Sequence, residues 1–281
     1  MNDDQTQTPD TRTTRDNGDR RSAIRFAAVG DLHCRKTSSG AYRTLFAQAS
    51  KAADALLLCG DLTDYGLPEE ARVLADELTA AAIPVVAVLG NHDFESSAEE
   101  EVRRILTNAG VQVLDGEACE IHGVGIAGIK GFAGGYGPGA LGPWGEKVVK
   151  LFVQEAIQEA LKLEAALARL RTRRRIAVLH YAPIDATVRG EPSEIFPFLG
   201  CSRLAEPLIR YPVDFVVHGH AHRGFPQGQT VNGTPVYNVA MPLLLRSFPD
   251  RPAFRVLEVP REGEADQPQV PPGATAGSGN R

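Results

Sequence analysis

The stretch Leu56-Leu57-Leu58-Cys59-Gly60-Asp61-Leu62-Thr63-Asp64 sets an apolar run against a glycine and two carboxylates. A short run of this kind reads as a buried strand. Gly60 permits a sharp turn, and Asp61 then stands just past the strand end, where ligands gather in open α/β sheets. A carboxylate in that place has two ordinary meanings. It can cap a turn, or it can bind one metal ion or bridge two. The pair alone does not choose between them; the other strand ends do.

On the N-terminal side, 41–53 has a helical pattern, and the strand 24–30 before it ends in Asp31-Leu32-His33. On the C-terminal side, Pro68 opens a helix over 68–82. The strand 84–90 that follows ends in Asn91-His92-Asp93. Strands alternating with helices predict parallel pairing through right-handed crossovers. A helix over 99–108 is closed by Gly110. The apolar runs 111–114, 117–122 and 124–129, with turns at Asp115-Gly116 and Gly123, read as antiparallel strands. The glycine-rich stretch 131–139 reads either as a mobile substrate loop or as a plain connection. A long amphipathic helix over 144–171 carries Val149, Phe152, Ala156, Ala160, Leu163, Leu167 and Leu170 on its packing face. Trp144 is its expected core anchor, and Arg173-Arg174-Arg175 form a solvated basic run at its C-terminal end. The strand 176–179 ends at His180. The strand 213–217 ends in His218-Gly219-His220-Ala221-His222, and strands at 234–240 and 253–259 close the sheets.

The bulk properties narrow the class. With 281 residues, 43% of them hydrophobic, the chain can bury a sizeable core. We expect one domain over 23–260 between disordered tails at 1–22 and 261–281. A net charge of −5 disfavours an extended nucleic-acid track. Cys34, Cys59, Cys119 and Cys201 form no CxxC pair and read as free thiols of a reducing compartment. The N-terminal residues lack the apolar core of a signal peptide, and no run is long enough to span a bilayer. These features predict a cytoplasmic protein without a membrane partner.

Five strand ends therefore carry Asp31 and His33, Asp61, Asn91 and His92, His180, and His220 and His222, which takes in five of the chain's seven histidines. One such histidine is usually structural. Asp and His gathered at every strand end would be costly to bury without cations. The donor set is oxygen and imidazole without thiolate, which points to Mn, Fe or Zn. It is larger than one ion needs. Two ions sharing a carboxylate and a water would use it in full.

In order, D-x-H, G-D-x-x-D, G-N-H-D, a lone H after a strand and G-H-x-H resemble the signature of calcineurin-like metallophosphoesterases, over about 24–222. The resemblance implies a four-layer αββα sandwich with two central mixed sheets. It implies that Asp31, His33, Asp61 and His222 hold one metal, and that Asp61, Asn91, His180 and His220 hold a second, with Asp61 bridging. It places His92 near the leaving-group oxygen, with Asp64 orienting it. The implied activity is hydrolysis of a small-molecule phosphate ester by a metal-bridging hydroxide. The chemistry agrees: paired cations acidify water and stabilise phosphoryl charge, and a positioned imidazole can protonate the leaving alkoxide. In the phosphoprotein phosphatases of the family an Arg follows the second Asp of G-D-x-x-D; here Tyr65 stands there. The motif is closer to the bacterial branch that includes cyclic-nucleotide phosphodiesterases, so a phosphodiester is the expected substrate. A phosphomonoesterase or protein phosphatase is the alternative, and a non-catalytic binding scaffold on the same fold is another. His218 is expected to pack or to support the ligands, His122 to be structural, and Cys34 to be an inert thiol.

Overall fold

The computed structural model of the chain describes residues 22–261. The tails expected at 1–22 and 261–281 lie outside them, save Ser22 and Arg261, whose main chains meet at 3.0 Å. In chain order the first half runs β1 (Ala23–Val29), α1 (Arg43–Ala52), β2 (Ala55–Cys59), α2 (Pro68–Leu78), β3 (Val85–Val88), α3 (Glu99–Asn108) and β4 (Gln112–Val113). The second half runs β5 (Glu117–Ile121), β6 (Val124–Gly128), α4 (Lys147–Arg169), β7 (Arg174–Val178), α5 (Phe196–Leu199), α6 (Ala205–Arg210), β8 (Phe215–His218), β9 (Gln227–Gln229), β10 (Pro235–Asn238), α7 (Met241–Ser247) and β11 (Arg255–Pro260).

Two mixed sheets result, in the orders β11-β1-β2-β3-β4 and β5-β6-β7-β8-β10-β9. In the first, β1 to β4 are parallel and β11 runs antiparallel to β1. In the second, the central pairs are parallel and the edge strands β5 and β9 are antiparallel to their neighbours. The apolar run that opened the analysis is β2, buried at every position. Its side chains alternate between two cores. Leu57 joins Phe26, Val86, Ile126, Val178 and Val217 between the sheets. Leu56 and Leu58 join Phe46, Leu74, Val102 and Leu106 under α1, α2 and α3. A third core lies beneath α4 and α6 on the outer face of the second sheet. The layers are thus helix, sheet, sheet, helix. Burying each such leucine contributes roughly 1.5–3 kcal/mol.

Three local expectations are corrected. The run at 111–114 is not part of an antiparallel meander. It contributes β4, which pairs parallel with β3 in the first sheet, and only β5 and β6 form the hairpin. Trp144 anchors no core: it is 62% exposed, and the helix begins at Lys147. Pro143 and Gly145 flank the tryptophan, and Gly145 has φ +73, so the helix cannot extend back over it. The basic run is not a helix end either. Arg174 opens β7, where its guanidinium and the Arg175 amide grip Asp214 at 2.9 Å each. Among the described residues, no helix is long and apolar enough to cross a membrane.

Candidate metal centre

The loops after β1 and β2 are zipped together by main-chain bonds. Asp31 N donates to Gly60 O, His33 N to Asp61 O and Cys34 N to Leu62 O, all at 2.9–3.0 Å. This register carries the first two motifs to the same end of the sheet. The β8 end reaches them from the other sheet, where His220 N donates to both Asp31 carboxylate oxygens at 2.9 and 3.0 Å. The candidate ligands therefore meet at the seam between the sheets.

The backbone is bent to bring them there. Asp31, His33, Asp61 and His220 all have positive φ, between 48° and 68°. Each costs on the order of 1–2 kcal/mol for a residue with a side chain, and such strain clusters at functional sites. Two glycines leave the room that the ligands occupy. A Cβ on Gly60 would lie 2.4 Å from His180 Nδ1, and one on Gly90 would lie 2.2 Å from Asp61 Oδ1.

Three overlapping groups have ligand atoms all within 4.8 Å of one another: Asp31, His33 and His222; His33, Asp61 and His92; and Asp61, His180 and His220. Asn91 joins through its Oδ1, 2.9 Å from His180 Nε2. All seven expected ligands and His92 are thus brought together.

The hydrogen bonding tests whether these residues suit a cation. His180 Nδ1 donates to the Cys59 carbonyl at 3.0 Å, and burial lowers its pKa so that the ring is neutral near pH 7. Its Nε2 therefore carries a lone pair. That lone pair faces two more acceptors, Asn91 Oδ1 at 2.9 Å and Asp61 Oδ1 at 3.3 Å. His33 Nε2 is buried without a hydrogen-bond partner; it lies 3.8 Å from Asp61 Oδ2. His220 gives its Nε2 proton to Phe198 O at 3.1 Å, which leaves Nδ1 unprotonated, and burial pushes the ring down to about 3. Lone pairs converging without a proton between them fit a cation. The donor set is imidazole, carboxylate and amide oxygen, all of them able to bind a metal ion.

The carboxylates carry the complementary signature. Burial, with the Asp31 charge beside it, pushes Asp61 up to about 7. Burial also opposes ionisation of Asp31, but the hydrogen bond with His222 at 2.9 Å, and the charge of that ring, hold it below the ordinary range. His222 is raised in turn, chiefly by its bond to Asp31.

His92 sits at the half-exposed edge of the cluster, its ring 4.5 Å from that of His33. Its Nδ1 donates to the main-chain carbonyl of Asp64 at 2.7 Å. Burial opposes the charged ring, but this bond and the Asp61 carboxylate raise its pKa overall. The expected Asp64 carboxylate contact with His92 is replaced by this main-chain bond. The carboxylate itself is occupied elsewhere, 3.3 Å from His33 Nδ1 and 2.7 Å from Arg35 Nε.

One organising residue was quoted in its motif but given no role. Asp93 is fully buried and accepts from Leu62 N, Thr63 N, Thr63 Oγ1 and Gly90 N at 2.6–3.1 Å. It ties the β3 loop to the β2 loop beneath the ligands. Three of its four donors are main-chain amides, which every residue but proline offers, so they leave no side-chain pattern to read. His218 is buried with both ring nitrogens engaged, by Thr187 Oγ1 and Gly219 O at 2.8 Å each. His122 is exposed on a turn and touches Asp54 O at 3.2 Å. Burial pushes the Cys34 thiol up to about 12.

Residues 24–224 match the family described as calcineurin-like phosphoesterase. The fold is similar to that of the phosphopantetheinyl hydrolase from Mycobacterium tuberculosis, at 16% identity and TM-score 0.62 over 90% of this chain and 99% of that one. It is also similar to TT1561 of Thermus thermophilus, at 15% identity and TM-score 0.49 over 85% and 99%. A purple acid phosphatase from yellow lupin (Lupinus luteus) seeds follows at 12% identity and TM-score 0.49, over 77% and 44%. At 16% identity the likeness to the phosphopantetheinyl hydrolase is one of fold alone. No curated protein matches the chain.

Proposed function

The chain belongs to the calcineurin-like phosphoesterases, and from that premise we propose that it hydrolyses a phosphodiester at the seam between its sheets. Asp31, His33, Asp61 and His222 would hold one metal ion; Asp61, Asn91, His180 and His220 would hold the other. When bound, two such ions acidify water and draw charge from the phosphoryl oxygens. The observation that carries this reading is the His180 lone pair pressed against Asn91 and Asp61 oxygens with no proton between them.

The chain's own groups supply the rest. His92 stands at the rim with Nδ1 committed to the Asp64 carbonyl, so its Nε2 is the atom free to give a proton to the leaving alkoxide. Phe198 O and Cys59 O fix the tautomers of His220 and His180. The preference for a diester rests on charge. A monoester carries a further negative charge that an extra cation would have to meet. The position after Asp64 offers only Tyr65, which is 52% exposed, and Arg35 nearby is paired with Asp64.

The test is turnover of bis-p-nitrophenyl phosphate against p-nitrophenyl phosphate by the manganese-loaded chain. Faster diester hydrolysis is expected. Two bound metals with no turnover of either ester would overturn the hydrolase reading, and faster monoester turnover would overturn the diester preference.

A further inference from the structure

A cavity of about 870 Å³ opens at the β11 edge of the first sheet, a size within the range of ligand pockets. Its walls come from the start of β11, from α7 and the turn after it, and from Phe225, Pro226 and Gln227. Phe225, Phe248 and Phe254 give it three aromatic rings. Phe225 is 54% exposed, so the cavity is open at the surface. None of its lining residues is a candidate metal ligand, so it is a site apart from the metal centre.

Arg251 and Arg255 line this cavity, and no carboxylate does. Arg255 is half-buried. It donates from Nη1 to Pro226 O at 3.3 Å and from Nη2 to Gln227 Oε1 at 2.8 Å, and its guanidinium carbon lies 4.2 Å from the centre of the Tyr237 ring. All three partners are neutral. Arg251 is exposed, with its guanidinium carbon 5.6 Å from the centre of the Phe248 ring. Among the described residues, neither arginine is paired with a carboxylate. Arg174, also part-buried, is by contrast met by Asp214 at 2.9 Å. Burial and the Arg251 charge hold Arg255 below its ordinary pKa. Two like charges thus share one cavity without a counter-charge. A cation taken partly out of water is costly to leave so, and a guanidinium fork fits a carboxylate.

We propose that this cavity is a binding site for an aromatic carboxylate, whose flat ring lies among the phenylalanines and whose carboxylate meets Arg251 and Arg255. Charge complementarity selects the anion. The three phenylalanines select its body, since aromatic rings favour offset or edge contact with another ring. Part of the Arg255 fork is already committed to Pro226 and Gln227, so what remains suits a singly charged group.

The experiment is calorimetry of the manganese-loaded full chain with 2-naphthoate and with 2-naphthamide, which has the same ring and no charge. The naphthoate should bind at least about tenfold more tightly. Arg251→Gln should weaken naphthoate about tenfold and leave naphthamide unchanged. The side chain is exposed, so the variant should fold. Phe225→Ala should weaken both ligands. Naphthoate affinity should be the same after the manganese is removed. Equal affinity for the two ligands, or an unchanged naphthoate affinity in Arg251→Gln, overturns the inference. Binding that is lost with the metal does so too, because it places the carboxylate on the manganese. Failure of naphthoate to bind also overturns it. Where Phe225→Ala then turns a dimer into a monomer, a second copy fills the cavity. Where removal of residues 262–281 restores binding, the acidic residues Glu262, Glu264 and Asp266 fill it instead.

Discussion

The Nδ1 of His92 donates to the main-chain carbonyl of Asp64 across 2.7 Å. A carbonyl only accepts, so the proton on Nδ1 is fixed and Nε2 is the atom left for the proposed proton transfer. Because the bond is to the backbone, it survives any change of the Asp64 side chain. The roles of the two residues can therefore be separated by mutation.

His92→Ala should keep both metals and the fold. Its turnover of esters with poor leaving groups should fall on the order of 10²–10⁴-fold, the usual contribution of a positioned acid. p-Nitrophenyl esters need little protonation and should lose much less. Elemental analysis beside rates for leaving groups of graded pKa is the measurement. An equal loss across the series would assign His92 to phosphoryl charge instead.

Asp64→Asn should act on the metals. Its carboxylate lies 3.3 Å from His33 Nδ1 and 2.7 Å from Arg35 Nε. Weakening it should lower metal affinity roughly 10–100-fold, the scale for partners of ligating histidines. The leaving-group dependence should match that of the wild type. A slope that changes as in His92→Ala would show that the carboxylate reaches His92 during turnover.

Asp61→Asn should abolish turnover and reduce bound metal below two per chain. Its effect on the metal-free protein should have the opposite sign. Burial and Asp31 raise the folded pKa of Asp61 to about 7 from an ordinary 3.8. A raised carboxyl pKa means that the folded state holds its proton more tightly, so stability is lost as pH climbs from about 4 through about 7. At pH 8 the metal-free variant should melt above the metal-free wild type, by about 2–4 °C for each kcal/mol relieved. Manganese should reverse the order. A variant that melts lower without metal would mean that Asp61 is not destabilising when charged.

Asp93→Ala should cost about 3–5 kcal/mol in a urea melt, the scale for breaking a buried charged network, because Leu62 N, Thr63 N and Gly90 N lose their acceptor. Metal binding should weaken with it. A loss under about 1 kcal/mol, the net worth of a single ordinary hydrogen bond, would mean that water takes the carboxylate's place.

What the sequence made legible follows from where information is local. Asp31, Asp61, Asn91, His180 and His222 each follow an apolar run, and a run plus its terminal residue is a local pattern. Asp93 lies in the same motif, yet two of its partners are amides some thirty positions away, so nothing local marks it. β4 is only Gln112–Val113, too short for its pairing direction to be read from its own residues. The segment between His180 and β8 holds only short helical turns that are fixed by tertiary contact. For that reason Phe198, which serves the ligands through its carbonyl, left no side-chain trace.

The ligands come from both sheets, and that sets an order of events during synthesis. The bond between His222 and Asp31 joins positions 191 residues apart. While the ribosome is still making β8, the chain already holds Asp31, His33, Asp61, Asn91 and His180, but no His220 or His222. Such a nascent chain has an incomplete set of donors and a second sheet that still lacks β8, β9 and β10. If the proposed ligands hold the metals, full loading would therefore wait until residue 222 has been translated. Closing so long a loop is slow, and an ion held at the seam would fasten the loops after β1 and β2 to the loop after β8.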